Sequence, residues 1–265
     1  VENVIREKDI LLGFNCPFII TCLGHFQDSC NCYLLLEYMA GGEVFGLLNQ
    51  LQRFSTQLAR FYAAETLLAL EYIHKRHYVY RDLKPENILI ADNGHVMLAD
   101  MGFCKPLKRG ERTYTTCGTA DYMAPEVMLC QGHDQAADFW AFGVLIFEMI
   151  AGYPPFEGDS DNERLHYILN GSLVFPEDFN LQAKDLVLKL CTVDVSKRYG
   201  MLAAGIADIK NHLFFADIDF RSLSEQQPPH LPKLAALSGL EGKHLKLGTK
   251  ADTLNPEQNK AFAGF

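Results

Sequence analysis

An acidic, a basic and an amide side chain lie close together in the segment Tyr-Arg-Asp-Leu-Lys-Pro-Glu-Asn, residues 80–87. The carboxylate of Asp82 is suited to accept a proton from a substrate hydroxyl, and Lys84 to reach a phosphoryl group whose charge redistributes. Asn87, and Asp100 further along, offer the oxygen ligands that Mg²⁺ prefers. These residue types are compatible with magnesium-assisted phosphoryl transfer to a hydroxyl group, and equally with ordinary turn residues when each is taken singly.

Three short motifs follow one another along the chain. Residues 81–87 fit the pattern Arg-Asp-Leu-x-x-x-Asn, residues 100–102 read Asp-Met-Gly, and residues 124–126 read Ala-Pro-Glu after a threonine-rich loop. Each is an ordinary turn sequence by itself, but their order and spacing together resemble the eukaryotic protein kinases. The resemblance implies an α+β fold of two lobes, mainly the helical C-lobe, with the N-lobe reduced to the αC helix and about two strands.

Further stretches resemble the AGC group of protein kinases and, within it, the cAMP-dependent kinases. They are residues 41–45, 60–64, 115–119, 151–156, 208–212 and 262–265. By this resemblance the chain divides into a partial N-lobe (1–38), the C-lobe (39–215) and a C-terminal tail of the AGC type (216–265). The implied activity is that of a serine/threonine kinase, with ATP and Mg²⁺ as cofactors.

The resemblance assigns a role to each residue of the catalytic machinery. Glu7 is the αC carboxylate that pairs with the ATP-binding lysine, and Asn87 and Asp100 are the metal ligands. The catalytic set is Asp82, Lys84, Asn87, Asp100 and Thr119. The nucleotide-binding set is Glu37, Tyr38, Met39, Glu43, Lys84 and Leu89.

Activation and structural support are likewise implied by the resemblance. Thr115 is the activating phosphosite, and its phosphate is received by Arg81, Lys105 and Thr113, because arginine pairs with phosphate bidentately. The structural residues are Glu126 and Arg198, which form an ion pair, and Asp138, which anchors the catalytic loop from a buried helix.

Substrate preference follows from three acidic residues. Glu43, Glu86 and Glu148 match the positions where this family binds arginines upstream of the phosphorylated residue, so protein and peptide substrates with basic motifs are expected. The plainer alternative is that they are three ordinary surface charges among 33 acidic residues. Glu148 argues against that alternative, because it interrupts an apolar helical pattern where a charge needs a reason.

Composition excludes other classes of protein. The net charge of −9 argues against a nucleic-acid partner bound through phosphate neutralisation. The longest apolar run, residues 139–147, is too short for a membrane span, and the eight cysteines show no disulfide pattern. A reduced, cytoplasmic or also nuclear protein is expected. A regulatory subunit that binds cyclic nucleotide would be a separate chain.

Some expected features of the resemblance are not found in the sequence. No glycine-rich G-x-G-x-x-G loop and no strand lysine precede the αC segment. Our interpretation is a fragment of an active kinase; the alternative is a truncated, non-catalytic pseudokinase or partner-binding module. Met101 stands where the family has Phe, and Ala120 and Asp121 stand where it has Pro and Glu.

Hydrophobic periodicity predicts the elements that position these groups. Helices are expected over 1–12, 42–50, 134–150, 161–170, 181–190 and 203–210, with another that begins after the N-cap residue Ser55. Strands are expected over 18–26 and 32–39. A turn at 92–94 predicts a hairpin between residues 87–90 and 95–98, so residues 100–102 follow residues 80–87 at a hairpin's distance.

Overall fold

The computed structural model describes residues 2–28, 31–156 and 160–233. Within these ranges helices dominate, and they occur close to the segments with helical periodicity. The α-helices are α1 Glu2–Gly13, α2 Val44–Leu51, α3 Thr56–Lys75, α4 Pro125–Met128, α5 Ala136–Ala151, α6 Asp161–Asn170, α7 Leu181–Leu190 and α8 Ile206–Lys210.

The strands are short and pair in antiparallel fashion. One sheet joins β1 to β2, a second has the order β3-β5-β6, and a third joins β4 to β7. The fold is therefore α+β, with a small sheet content beside a helical body. The strands are β1 Cys22–Gln27, β2 Cys32–Leu36, β3 Gly42–Glu43, β4 Tyr78–Val79, β5 Ile88–Ile90, β6 Val96–Leu98 and β7 Lys105–Pro106.

Helix α5 is the centre of the core. All its residues from Ala136 to Ile150 are buried, as expected for a helix that is apolar on nearly every face. It packs against α3 and α7, and the Trp140 ring stacks on Phe156 at 5.4 Å. A Cβ at Gly143 would lie 2.7 Å from the Cys191 sulfur, so glycine is required for the close approach of α7.

The amino-terminal part is hydrogen-bonded directly to the predicted catalytic hairpin. The sequence predicted one strand over 18–26, but β1 begins only at Cys22. Residues 18–20 do not continue β1 and instead form a bridge to β6. The Leu98 N–H donates to the Phe18 carbonyl, and the Ile20 N–H donates to the Leu98 carbonyl.

Local signals placed most element ends correctly. The Ser55 hydroxyl accepts from the Leu58 N–H and caps α3, as predicted. Helix α2 begins at Val44 rather than at residue 42, because Gly42 and Glu43 pair with β5 first. Helix α8 begins at Ile206 rather than at residue 203, behind Gly205 with its left-handed φ of 60°.

The start of the predicted tail packs on the helical body. Leu223 is fully buried, and Phe220 makes an edge contact with Phe215 at 5.5 Å. Residues 262–265, one of the stretches that carry the resemblance, lie outside the described residues. Among the helices that the structure describes, none is long and apolar enough to cross a membrane.

Candidate active site

The hairpin of β5 and β6 brings the two predicted metal ligands to one end of a sheet. Ile88 pairs with Leu98, and the Ala99 N–H donates to the Asn87 carbonyl at 2.8 Å. Asn87 precedes β5 and Asp100 follows β6, so the hairpin register sets the relative positions of their backbones.

Three polar side chains meet around Asp82, which is 3% exposed. The Lys84 ammonium donates to Asp82 Oδ2 at 2.9 Å and to the Thr119 hydroxyl at 3.0 Å. The Thr119 hydroxyl in turn lies 3.3 Å from Asp82 Oδ1. The Asn87 amide donates to the Asp82 carbonyl at 2.8 Å and to Oδ2 at 2.9 Å. The carboxylate is thus oriented from three sides.

The loop that carries Asp82 is held from below by Asp138 on α5. Asp138 Oδ2 accepts from the Tyr80 N–H at 2.9 Å and Oδ1 accepts from the Arg81 N–H at 2.8 Å. His74 Nε2 lies 2.7 Å from the same carboxylate. Complete burial raises the pKa of the Tyr80 hydroxyl, and the Asp100 and Asp82 carboxylates raise it further; it donates to the Ala99 carbonyl at 2.6 Å.

The threonine-rich segment crosses this loop at Gly118. Its φ is +100°, and a Cβ there would lie 2.6 Å from the Arg81 carbonyl oxygen. Only glycine permits this contact, because other residues rarely adopt that φ and would clash. The neighbouring Thr119 is thereby brought within reach of Lys84 and Asp82.

Glu7 on α1 faces the Asp100 carboxylate, and none of the described residues forms an ion pair with it. Burial raises the pKa of the Glu7 carboxyl, and the nearby Asp100 carboxylate raises it further. Asp100 has a left-handed φ of 53°, and its Oδ1 accepts from the Gly102 N–H at 3.0 Å. No ion pair to Glu7 is found among the described residues.

The predicted phosphate-receiving residues are only partly assembled. The Lys105 ammonium donates to the Thr113 hydroxyl at 2.9 Å. Arg81 Nε donates to the Phe103 carbonyl at 2.8 Å, while Arg81 Nη1 is buried without a hydrogen-bond partner. Thr115 is exposed. A guanidinium nitrogen without a hydrogen-bond partner is compatible with the predicted role of Arg81, which is to bind the phosphate of Thr115.

His133, near the Arg81 guanidinium, is a further buried residue whose pKa is shifted. His133 is 4% exposed, and its backbone pairs with Thr113. Burial lowers the pKa of His133, and the positive charge of Arg81 lowers it further. Both causes favour the neutral imidazole.

The predicted nucleotide-binding residues are distributed over two places. Glu37 Oε1 accepts from the Thr21 N–H at 2.6 Å, and Tyr38 is 72% exposed. Glu43 on β3 pairs directly with Leu89 on β5. This pairing places a carboxylate and an apolar side chain of the predicted set on neighbouring strands of the catalytic hairpin sheet.

Two of the three predicted substrate-binding acids have buried carboxylate atoms. Glu86 Oε2 is buried and has no hydrogen-bond partner. Glu148 on α5 is buried, and its Oε2 accepts from the Tyr122 hydroxyl. Neither Glu43 nor Glu86 forms an ion pair with any described residue. An unpaired, partly buried carboxylate is costly, which favours a cationic ligand for Glu86.

A buried ion pair joins the end of the threonine-rich segment to the helical body. Arg198 is fully buried, and its Nη1 and Nη2 donate to the two Glu126 oxygens at 2.6 and 3.0 Å. Arg198 also donates to the carbonyls of Thr192 and Ala136, both at 2.9 Å. These bonds satisfy the guanidinium where water is absent.

Sequence reasoning missed His74, Tyr122 and Gly118 as supporting residues. No spacing rule links His74 to Asp138, which is 64 residues away. The partnership of Tyr122 with Glu148 also depends on the packing of separate segments. Gly118 had a weak signal, because a glycine within a polar loop indicates a positive φ or a close approach.

Comparison with known proteins identifies the fold family. The model of the protein kinase domain family matches residues 1–215. The chain is 48% identical over 236 residues to a cAMP-dependent protein kinase catalytic subunit of Dictyostelium discoideum, covering 88% of this chain and 36% of the relative. It is 46% identical to the cAMP-dependent protein kinase type 3 of Saccharomyces cerevisiae, covering 84% and 56%. For a cAMP-dependent protein kinase catalytic subunit-like protein of Caenorhabditis elegans, identity is 44% and coverage 88% and 58%. The chain thus spans 36–58% of the length of these relatives.

Proposed function

The chain belongs to the protein kinase domain family, and from this premise we propose that it acts as a serine/threonine kinase of the cAMP-dependent type. It would transfer the γ-phosphate of ATP to protein hydroxyl groups that follow arginine residues. The observation that carries the proposal is the bonding of Asp82 to Lys84, Thr119 and Asn87 within 3.3 Å. In this family such a carboxylate accepts the proton of the attacking hydroxyl.

The residues present fit a magnesium-bound nucleotide. Both hydrogen bonds of the Asn87 amide nitrogen go to Asp82, so the amide oxygen retains its lone pairs for a hard cation. Asp100 uses Oδ1 for the Gly102 N–H and offers Oδ2. When bound, Mg²⁺ would neutralise charge on the transferred phosphoryl group. Asp82 would orient the hydroxyl and accept its proton, while Lys84 would hold Asp82 and Thr119 in place.

The unpaired carboxylates support the substrate class. Glu86 and Glu43 have no cationic partner among the described residues, and the chain carries a net charge of −9. A peptide with arginines upstream of its serine would supply bidentate partners for such carboxylates. The relatives are named cAMP-dependent catalytic subunits, which further leads us to propose control by a regulatory subunit that binds cyclic nucleotide. A cytoplasmic location remains a prediction from the sequence.

Phosphate transfer to a serine peptide with two upstream arginines tests the proposal. We expect the chain to phosphorylate this peptide in the presence of Mg²⁺ and ATP, and to prefer it over the same peptide with both arginines replaced by alanine. Asp82→Asn should lower the rate by about 10²–10⁴-fold, and cooperative thermal unfolding of the variant checks that it is still folded. Peptide binding with no transfer above the Asp82→Asn background would favour the alternative of a non-catalytic binding module.

A further inference from the structure

A carboxylate buried in helix α3 contacts the β5–β6 hairpin. Glu65 is completely buried, and its neighbours in the helix, residues 61–64 and 66–67, are buried too. Its Oε1 lies 2.5 Å from His95 Nδ1, and its Oε2 accepts from the Val96 N–H at 2.8 Å. A buried carboxylate is costly unless it is paired and hydrogen-bonded, and both partners of Glu65 lie at the start of β6.

Glu65 supplies a hydrogen-bond acceptor to the outer edge of β6. This strand is the last one of its sheet, which has the order β3-β5-β6. On the outer edge the Leu98 N–H donates to the Phe18 carbonyl, and the Val96 N–H points to the same side because the two residues are two positions apart in the strand. Glu65 therefore takes the place of a backbone carbonyl from a neighbouring strand.

The strand that Glu65 contacts leads directly to both predicted metal ligands. Asp100 follows the end of β6 by two residues, and the Ala99 N–H donates to the Asn87 carbonyl at 2.8 Å. Helix α3 also packs against β6. A shift of β6 relative to α3 would therefore move Asp100 and, through the hairpin, Asn87. Phosphoryl transfer depends on positioning, and a displacement of about 1 Å can lower its rate strongly.

The surroundings of Glu65 make it dependent on His95. Burial raises the pKa of the Glu65 carboxyl, and the contacts with His95 and Val96 act against that rise. The His95 side chain is 12% exposed and the Glu65 side chain is fully buried. Without His95 the carboxylate would lose one of its two partners in the interior, so the two side chains form one unit.

We propose that Glu65 is a positioning residue for the predicted metal ligands: together with His95 it fixes β6 on α3, and thereby the placement of Asn87 and Asp100. The proposal rests on the proposed function, since it concerns the magnesium-dependent step of phosphate transfer. Loss of the contact should weaken the response to Mg²⁺ and slow transfer. The KM of the peptide should change little, because the carboxylates expected to bind it do not lie on β6.

Phosphate transfer by the full chain tests this role, with the concentrations of Mg²⁺ and peptide varied separately. Glu65→Gln keeps the shape of the side chain and removes its charge, His95→Asn replaces the imidazole, and a third variant combines both changes. Glu71→Gln is the matched control. It lies on the same helix and loses the same charge, but Glu71 is ion-paired with Lys75 and Lys210 instead of contacting the hairpin.

Hydrogen exchange of the same proteins, measured without Mg²⁺ and nucleotide, gives a readout that does not depend on activity. Glu65→Gln and His95→Asn should speed the exchange of backbone amides over residues 88–98 more than in the rest of the chain, because the hairpin is then held less firmly. Glu71→Gln should leave the exchange of these amides unchanged.

We expect Glu65→Gln and His95→Asn each to lower kcat and to raise the Mg²⁺ concentration for half-maximal rate, by about 2- to 30-fold. The double variant should be no worse than the more affected single variant, because both changes break one contact. A role in stability alone predicts a lower melting temperature with the Mg²⁺ response and the local exchange unchanged. That result, or effects of the two changes that simply add, would overturn the proposal.

Two further outcomes separate this inference from its premises. If Glu65→Gln does not fold, the more exposed position decides, and an unchanged Mg²⁺ response of His95→Asn shows that the inference is wrong. If the wild type transfers no phosphate, the proposed function is wrong and this inference with it. If the wild type is active and neither variant differs from Glu71→Gln, only the positioning role of Glu65 is wrong.

Discussion

The buried charged side chains of this protein differ in their surroundings: some have hydrogen-bond or ion-pair partners, and others face a like charge. Asp82 and Arg198 are buried with several hydrogen bonds each. Glu7 is half-buried and faces a like charge instead. The predictions for single residues therefore concern the free energy of unfolding, which depends on whether a buried charge has a hydrogen-bonded partner.

The first prediction concerns Glu7 and pH. Its raised pKa means that the folded chain holds the carboxyl proton more tightly than the unfolded chain, so stability falls as pH rises from about 4.5 through the folded-state value. Glu7→Gln should therefore gain stability relative to the wild type over that interval and keep the gain at neutral pH. Urea unfolding of the chain between about pH 4 and pH 8 measures this.

Asp185→Asn provides a control of opposite sign. A hydrogen bond from Lys189 lowers the pKa of Asp185 from its ordinary value of 3.8, and a further bond from His212 contributes. This variant should therefore lose stability relative to the wild type as pH rises through the acid range up to about 4, so its measurements start at about pH 2. A stability difference between Glu7→Gln and the wild type that does not vary with pH would contradict the unpaired environment of Glu7.

The second prediction concerns the buried Arg198–Glu126 pair. Arg198→Met should reduce the free energy of unfolding by about 3–5 kcal/mol, because it leaves the Glu126 carboxylate uncompensated in the interior. Lys197→Met, beside it in sequence but largely exposed in its pair with Asp194, should change stability by less than about 0.5 kcal/mol. Chemical denaturation measures both variants; equal losses would show that burial does not determine the cost.

At the scale of elements, three segments converge on the candidate active site. The loop of residues 80–87 is held by Asp138 of α5, the β5–β6 hairpin positions Asn87, and the threonine-rich segment contributes Thr119. The site is thus assembled from pieces that meet through backbone contacts. Close approach of these backbones is its most sensitive requirement.

The third prediction addresses the crossing at Gly118. Gly118→Ala should destabilise the fold by about 1–3 kcal/mol through its positive φ and the contact with the Arg81 carbonyl. It should also reduce phosphate transfer by displacing Thr119. Gly46→Ala in α2, where a Cβ meets nothing within 4 Å, should instead leave stability equal or raise it by up to about 1 kcal/mol. Thermal unfolding and the peptide assay together compare the two variants; similar behaviour of both would argue against the crossing as the constraint.

At the scale of the whole molecule, the net charge of −9 acts on any basic partner before contact. Acidic surfaces attract cationic peptides over distances set by the salt concentration. In the proposed function, the local carboxylates Glu43, Glu86 and Glu148 would then determine where such a peptide binds.

The fourth prediction follows from this long-range attraction. Raising NaCl from about 0.1 M to about 1 M shortens the Debye length from about 10 Å to about 3 Å. Binding of the peptide with two upstream arginines should weaken by about tenfold or more, and association should slow. Anisotropy titrations and stopped-flow mixing measure these effects. The alanine-substituted peptide is the control; if both peptides responded to salt alike, the acidic groove would not be the cause.

Sequence alone determined the family resemblance and most helices of this protein, because both depend on residue types a few positions apart along the chain. The order of Asp82, Lys84 and Asn87, the N-cap at Ser55 and the hairpin at residues 92–94 require only near neighbours. The proposed catalytic roles of these residues remain predictions that the Asp82→Asn assay addresses.

Only the tertiary structure decided which distant groups meet. Residues 18–20 pair with β6 instead of extending β1, His74 contacts Asp138, and Asp121 forms an ion pair with Arg164 on α6. These contacts form when segments that are far apart in the sequence pack around α5, and no local sequence pattern specifies them. Because electrostatic energy depends on distance in space rather than along the chain, the partner of each charge had to come from the fold.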